Sequence, residues 1–156
     1  MSGSTDSSGA VVQPPIGWGA TVLVGLALGW LYPLPFMPVS LPNVWIGIAV
    51  FAVSFALAIW AITTIRKAGS RIEVNKPTTT IVTSGPFGFT RNPVYVGMLL
   101  GQAAFAIGFN DLWLLAMMVP LYFLLRYGVI AREESYLERK FGQTYLDYKS
   151  TVRRWI

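Results

Sequence analysis

The run from Val44 to Ile65 holds no charged residue and is about 33 Å long as a helix, enough to cross a lipid hydrocarbon core. Three more apolar runs accompany it: Ile16 to Tyr32, Val94 to Phe109 and Leu112 to Ile130. The first of these is roughly 25 Å long as a helix, which just crosses a thin core. Inside lipid a backbone must satisfy its own N–H and C=O groups, and a helix does so within one segment. Composition agrees. Of 156 residues 54% are hydrophobic and 12% charged, too little polar surface to coat a soluble domain of this size. The expected architecture is an all-α integral membrane protein with four transmembrane helices and a cytoplasmic C-terminal amphipathic helix. Residues 16–156 form its single domain, behind a disordered Ser/Gly-rich tail over 1–15.

Orientation follows from the basic residues. None of the 12 lies before Arg66, and they fall in three groups, Arg66 to Arg91, Arg126 to Lys140 and Lys149 to Arg154. If both termini are cytoplasmic, every one of them faces inside, as the positive-inside rule requires; the opposite orientation puts every one outside. An inner or plasma membrane is the expected location. The bases flank apolar spans, so the formal charge of +5 is read as orientation and attraction to anionic head groups, with no nucleic-acid partner. The N-terminal tail has no basic region, and no cleaved signal peptide is expected.

Punctuation places the connections. Pro33, Pro35, Pro38 and Pro42 break the chain after the first span, whose Gly25 and Gly29 form a GxxxG pair suited to close helix packing. From Arg66 to Thr90 the chain is polar. Arg71, Glu73 and Lys76 precede the β-branched Thr78 to Val82, which favours extended chain, and Ser84-Gly85-Pro86 signals a turn. That loop is too long for a plain connector and suggests a site at the membrane surface. Pro120 predicts a kink that frees the carbonyl near Ala116, and Arg126, one turn from its span's end, can snorkel. A helix continues past Ile130 to Phe141, breaks at Gly142 and resumes over Gln143 to Lys149. The mixed segment Val152 to Ile156 reads as an interfacial anchor.

With no Cys and no His, thiolate nucleophiles, imidazole bases and Cys or His metal clusters are excluded, and no metal is expected. Proton transfer falls to carboxylates, Lys, Tyr or the substrate itself. Gly85 to Gly101 is the richest stretch. Asn92 suits an N-cap and Pro93 the first helical position, leaving the N–H groups of Val94 and Tyr95 to favour an anion. Gly97 and Gly101 clear a track on which a neighbouring helix or a flat ligand can lie. The last two spans make an antiparallel hairpin, which brings Arg91 to Tyr95 beside Arg132-Glu133-Glu134. A cation and a helix start near two carboxylates, at the lip of an apolar groove, suit a zwitterionic ligand with hydroxyls. Each residue also has a plainer role: helix start for Asn92 and Pro93, packing for the glycines, a solvated face for the carboxylates, interfacial packing for Tyr145 and Tyr148.

Here a resemblance is specific. Arg91 to Gly97 reads R-N-P-x-Y-x-G and resembles the R-H/N-P-x-Y signature of the membrane methyltransferases that include isoprenylcysteine carboxyl methyltransferases and phospholipid methyltransferases. Arg132-Glu133-Glu134, Leu137, Phe141-Gly142, Tyr145, Tyr148 and Val152-Arg153-Arg154 resemble that family's later E-E-x-x-L…F-G-x-x-Y…Y…V-x-R block. The likeness spans Thr80 to Ile156, with both blocks in family order. It implies an S-adenosylmethionine-dependent enzyme acting on a lipophilic acceptor that enters from the bilayer. Carried over, Arg91, Asn92, Pro93 and Tyr95 hold the cofactor's methionine end. Gly97 and Gly101 let it lie against the helix, and Glu133 and Glu134 take its ribose hydroxyls or amino group. Arg132, Glu133 and Tyr95 are the candidate catalytic residues, Arg132 orienting the acceptor; Arg132, Tyr145, Tyr148 and Arg153 are the candidate acceptor contacts. Asn92 stands where many members have His, and the chain stops at Ile156 where some continue. The acceptor stays open among a prenylcysteine carboxylate, a phospholipid amine, a thiol and a quinone-like hydroxyl, and oligomeric state is unassigned. Two rival readings are an NADPH-dependent sterol-type reductase, which generally needs more spans, and a non-enzymatic scaffold packing through its GxxxG glycines.

Overall fold

A computed structural model describes residues 10–69 and 78–156. The expectations for Arg71, Glu73, Lys76 and the tail before Ala10 lie outside the described residues. Within them the ordered elements are all helical: α1 (Pro14–Leu31), α2 (Asn43–Lys67), α3 (Pro93–Phe109), α4 (Leu112–Ala116), α5 (Met118–Phe123), a π-helical stretch (Leu124–Ile130), α6 (Ala131–Phe141) and α7 (Gln143–Thr151). A 3₁₀ turn covers Gly85–Gly88. Three helical paths, Pro14–Leu31, Asn43–Lys67 and Leu112–Phe141, are long and apolar enough to cross a membrane, and Pro93–Phe109 is a shorter apolar helix. Trp30 is 84% exposed, Trp45 72% and Leu23 68%. Apolar side chains bared to this extent on adjacent helices suit lipid and not water, and the chain is an integral membrane protein.

The tail yields to structure earlier than its Ser/Gly content suggests. Val11 donates its N–H to Gly128 O at 3.1 Å, and Pro14 and Pro15 form the first turn of α1, where a missing N–H leaves no bond unmade. Thr78 to Val82 forms no strand. At Pro120 the expected break appears: α4 ends at Ala116, Met117 intervenes, and α5 starts at Met118. The π-helical turns that follow were not legible in the sequence. They take up more residues per turn than an α-helix, which resets the face that α6 presents downstream.

Small residues set how closely the helices approach. On α3, Gly97, Gly101, Ala104 and Gly108 recur at helical spacing and lie against α2. The Ser54 hydroxyl donates to Gly97 O at 2.8 Å across that contact. Gly25 and Gly29 of α1 pack on α4, where a Cβ on Gly29 would fall inside the Asp111 carboxylate. Asp111 is needed there, because its Oδ1 accepts the Trp113 N–H at 2.8 Å and caps α4. The GxxxG pair thus packs within the molecule. At the crossing of α2 and α3, a Cβ on Gly47 would stand 2.6 Å from Gly108 Cα and 2.9 Å from Ala104 O. These are backbone atoms with nowhere to go. Gly47→Ala is therefore expected to force α2 and α3 apart and lose about 2 kcal/mol. A melt in detergent followed by tryptophan fluorescence checks this, and an unchanged midpoint contradicts the crossing.

One end of the bundle is tied together by hydrogen bonds to backbone groups. Asn110, left-handed at φ 50°, turns the chain from α3 into α4. Its side chain accepts from the N–H groups of Phe36 and Met37 and donates to Met37 O. Trp113 Nε1 donates to Tyr32 O, Leu112 N to Leu34 O and Asn43 Nδ2 to Gly108 O. The Pro-rich linker is thereby stitched to the α3–α4 turn. The opposite end is hollow.

Candidate functional site

Because α3 runs antiparallel to the path from α4 to α6, the first turn of α3 meets the first turns of α6. Beside them, walled by α1 and α2, is a cavity of ≈ 880 Å³, at the upper end of the roughly 300–1,000 Å³ usual for small-molecule sites. Trp18, Phe55, Ala58, Ile62, Ile65 and Met98 make its apolar wall. Arg91, Asn92, Tyr95, Glu133 and Glu134 make its polar floor, with Tyr145 and Tyr148 beside them. Thr78, Thr80 to Val82 and Phe87 line a third side.

A charge network organises the floor. Glu134, 6% exposed, receives Arg91 Nη2 at 2.9 Å on Oε1, Arg154 Nε at 3.0 Å on Oε1 and Arg154 Nη2 at 2.6 Å on Oε2. The Arg154 contact is bidentate, a strong geometry for a carboxylate. Arg91 also donates Nη1 to Lys149 O at 2.8 Å and to Val152 O at 3.1 Å. Its backbone N–H donates to Arg153 O at 2.9 Å. One side chain thus ties the start of α3 to α6, α7 and the C-terminal segment. The Arg154 guanidinium is held more firmly protonated by its bonds to Glu134, against burial and the nearby charge of Arg126.

Glu133 sits differently. The Tyr95 hydroxyl donates to its carboxylate, 2.9 Å from each oxygen. No guanidinium covers it among the described residues, and it faces the cavity. Tyr148 donates its hydroxyl to Phe87 O at 2.8 Å, and burial pushes its pKa up to about 12 despite Arg91. Burial also raises Tyr145, with the Glu134 charge adding to it. Both tyrosines are neutral walls and not proton carriers near pH 7.

Of the residues singled out from sequence, Arg91, Asn92, Pro93, Tyr95, Glu133, Glu134, Tyr145 and Tyr148 line this cavity. Gly97 and Gly101 do not; their open faces are taken by Ser54 and Ala58 of α2 and by Trp18. Arg132 and Arg153 are exposed and off the lining. Asn92 occupies the N-cap position but makes no cap bond; its Nδ2 donates to Arg154 O at 2.8 Å. The Tyr95 N–H, expected to be free for an anion, is given to Asn92 O at 3.0 Å. Arg154 was missed. Val152 is extended at φ −117°, ψ 133°, and in extended chain adjacent side chains point opposite ways. One of Arg153 and Arg154 turns inward, and the V-x-R pattern, whose arginine falls on Arg154, was the signal that could have found it. Trp18 was missed because nothing near it resembles a motif.

Two donors on this wall lack a protein partner among the described residues: Trp18 Nε1 and Arg91 Nε are buried and unbonded there. Unmet buried donors beside a cavity are a reason to look for a ligand that supplies acceptors.

Comparison with known proteins gives two matches. The phospholipid methyltransferase family matches residues 42–144, a range that runs from α2 into the start of α7 and takes in Arg91 to Tyr95, Glu133 and Glu134. An uncharacterized protein of Haemophilus influenzae is 67% identical over 27 residues, which are 17% of this chain and 43% of that protein. The chain thus spans less than half the length of that curated relative.

Proposed function

Because the chain belongs to the phospholipid methyltransferase family, we propose that it transfers a methyl group from S-adenosylmethionine to a lipophilic acceptor. It does so at the cytoplasmic face of an inner or plasma membrane that it crosses four times, α3 being the short span. The observation that carries this reading is the convergence of both polar motifs on one cavity, with Arg91 of the first bonded to Glu134 of the second.

The residues present fit the cofactor. It needs acceptors for its amino group and hydroxyls and donors for its carboxylate. Glu133 offers a carboxylate with no basic partner among the described residues, and Arg91 Nε and Trp18 Nε1 are donors in want of acceptors. Asn92, Pro93 and Glu134 complete the polar wall. When bound, S-adenosylmethionine supplies an electrophilic methyl group on a sulfonium. The chain's part is to align acceptor with donor and to keep water out, the latter through Phe55, Ile62, Ile65 and Met98.

Charge selects among acceptors. The half-buried Glu133 carboxylate, its pKa pushed up to about 7 by burial, is placed to take up a proton near neutrality. Ionised, it repels an acidic acceptor and attracts an ammonium, so an amine-bearing phospholipid head group is the preferred substrate class. Glu133 takes the ammonium proton on a carboxylate oxygen, freeing the nitrogen lone pair, while the Tyr95 hydroxyl fixes the carboxylate's orientation. Gly97 and Gly101 act through helix packing, and Tyr145 and Tyr148 as walls beside the acceptor. Arg132 and Arg153 stand at the rim, where exposed bases can meet lipid phosphate.

Calorimetry on purified protein in lipid nanodiscs tests the reading. S-adenosylmethionine or S-adenosylhomocysteine is expected to bind, and Asn92→Ala, which frees the Arg154 carbonyl, to weaken binding about tenfold, near 1.4 kcal/mol. No heat of binding across several lipid compositions would sink it.

A further inference from the structure

Arg126 plays no part in the cavity. It lies within the π-helical stretch, inside the apolar run that precedes α6, and its surroundings are unusual for a charge at that depth. Its Nη1 donates to the Tyr122 hydroxyl at 3.3 Å, and its guanidinium lies 5.4 Å from the centre of the Tyr127 ring. Among the described residues no carboxylate pairs with it. The Tyr122 hydroxyl accepts from Arg126 and keeps its own proton to donate. Around them Phe123 and Tyr127 are 51% and 59% exposed, and the Tyr122 and Trp155 rings lie 5.4 Å apart.

A cation at the lipid boundary without a counter-charge takes one from its solvent, which here is the head-group layer. We propose that Arg126 and the Tyr122 hydroxyl form a surface site for the phosphate of an anionic membrane phospholipid, apart from the methyl-transfer cavity. The choice of an anionic lipid follows from what the site lacks. An ammonium-bearing head group would bring its cation against the Arg126 guanidinium. The Tyr127 face, which could otherwise take that cation, is already covered by Arg126. Phosphate oxygens meet only donors. The aromatic side chains suit the adjoining glycerol and upper acyl region, where such rings settle. The site owes nothing to the proposed methyl transfer and stands or falls separately.

Native mass spectrometry of detergent-released full-length protein tests it, with phosphatidylglycerol and phosphatidylcholine added at equal concentration. Wild type is expected to retain phosphatidylglycerol about fivefold better than phosphatidylcholine, the worth of one arginine at an anionic surface. Arg126→Gln should abolish that preference, Arg126→Lys keep part of it, and Tyr122→Phe, which removes only the hydroxyl, reduce it. Arg66→Gln, which removes a base at the end of α2, should leave it intact. Equal retention of the two lipids by wild type, or full preference in Arg126→Gln, overturns the site. So does complete displacement of the lipid by millimolar inorganic phosphate, which assigns the cluster to free anions instead.

Discussion

Glu134→Ala is expected to lower stability by about 3–5 kcal/mol, the loss seen when one partner of a buried ion pair is removed. The figure applies because the carboxylate serves two cations at once: Arg91 and Glu134 have side chains each 8% exposed, and Arg154 is 29% exposed. Deleting it leaves Arg91 in the interior with only carbonyl partners, Lys149 O and Val152 O. The C-terminal segment then loses its tie through Arg154, and cofactor binding should disappear with it. Glu134→Gln keeps the shape and some hydrogen bonding and should fall between wild type and alanine. Thermal melts in detergent, followed by tryptophan fluorescence, read the effect directly. A melting temperature within a degree or two of wild type for Glu134→Ala would mean that the two guanidiniums are satisfied elsewhere.

Glu133→Gln should act on rate and leave stability nearly untouched. Its carboxylate has one side-chain partner among the described residues, the Tyr95 hydroxyl, and a glutamine can still accept that bond. What is lost is the base. For an amine acceptor, methyl transfer is expected to fall about 100-fold, the lower end of what a positioned acid or base supplies. The measurement is transfer of labelled methyl to extracted membrane lipids, with cofactor affinity measured in parallel. Tyr95→Phe should cost about tenfold, since it loosens the carboxylate without removing it. A fall of less than tenfold for Glu133→Gln would instead indicate an acceptor that is already nucleophilic, a carboxylate or thiol. The size of the effect therefore discriminates acceptor chemistry even before the lipid product is identified.

Much of this could be read from residue order. Uncharged runs, prolines and Gly142 announced where helices begin, bend and stop, and the observed bounds of α2 and α3 lie close to those expected. Antiparallel counting was enough to bring Arg91 to Tyr95 beside Glu133 and Glu134. What escaped depends on phase and on non-local contact. Nothing in Leu124 to Ile130 signals a π turn, because its residues would sit equally well in an α-helix. Gly97 and Gly101 were ambiguous between ligand and helix, and only the position of Ser54 and Ala58 on α2 decides it. Asn92 suited a cap by local preference, yet a carbonyl far along the chain, that of Arg154, took its amide. Local propensity yields where a distant partner offers a better bond.

The knot of bonds joining Asn110, Asn43 and Trp113 to the Pro-rich linker has a mechanical consequence. A bundle clamped at one pole can open only at the other, as a clothes-peg does about its spring. For the proposed lipid acceptor, widening is expected as a splaying of α1 and α2 at the cavity mouth, largest there and vanishing toward the clamp. On the proposed reading of the cavity, a lipid acceptor therefore enters and leaves at that open pole alone.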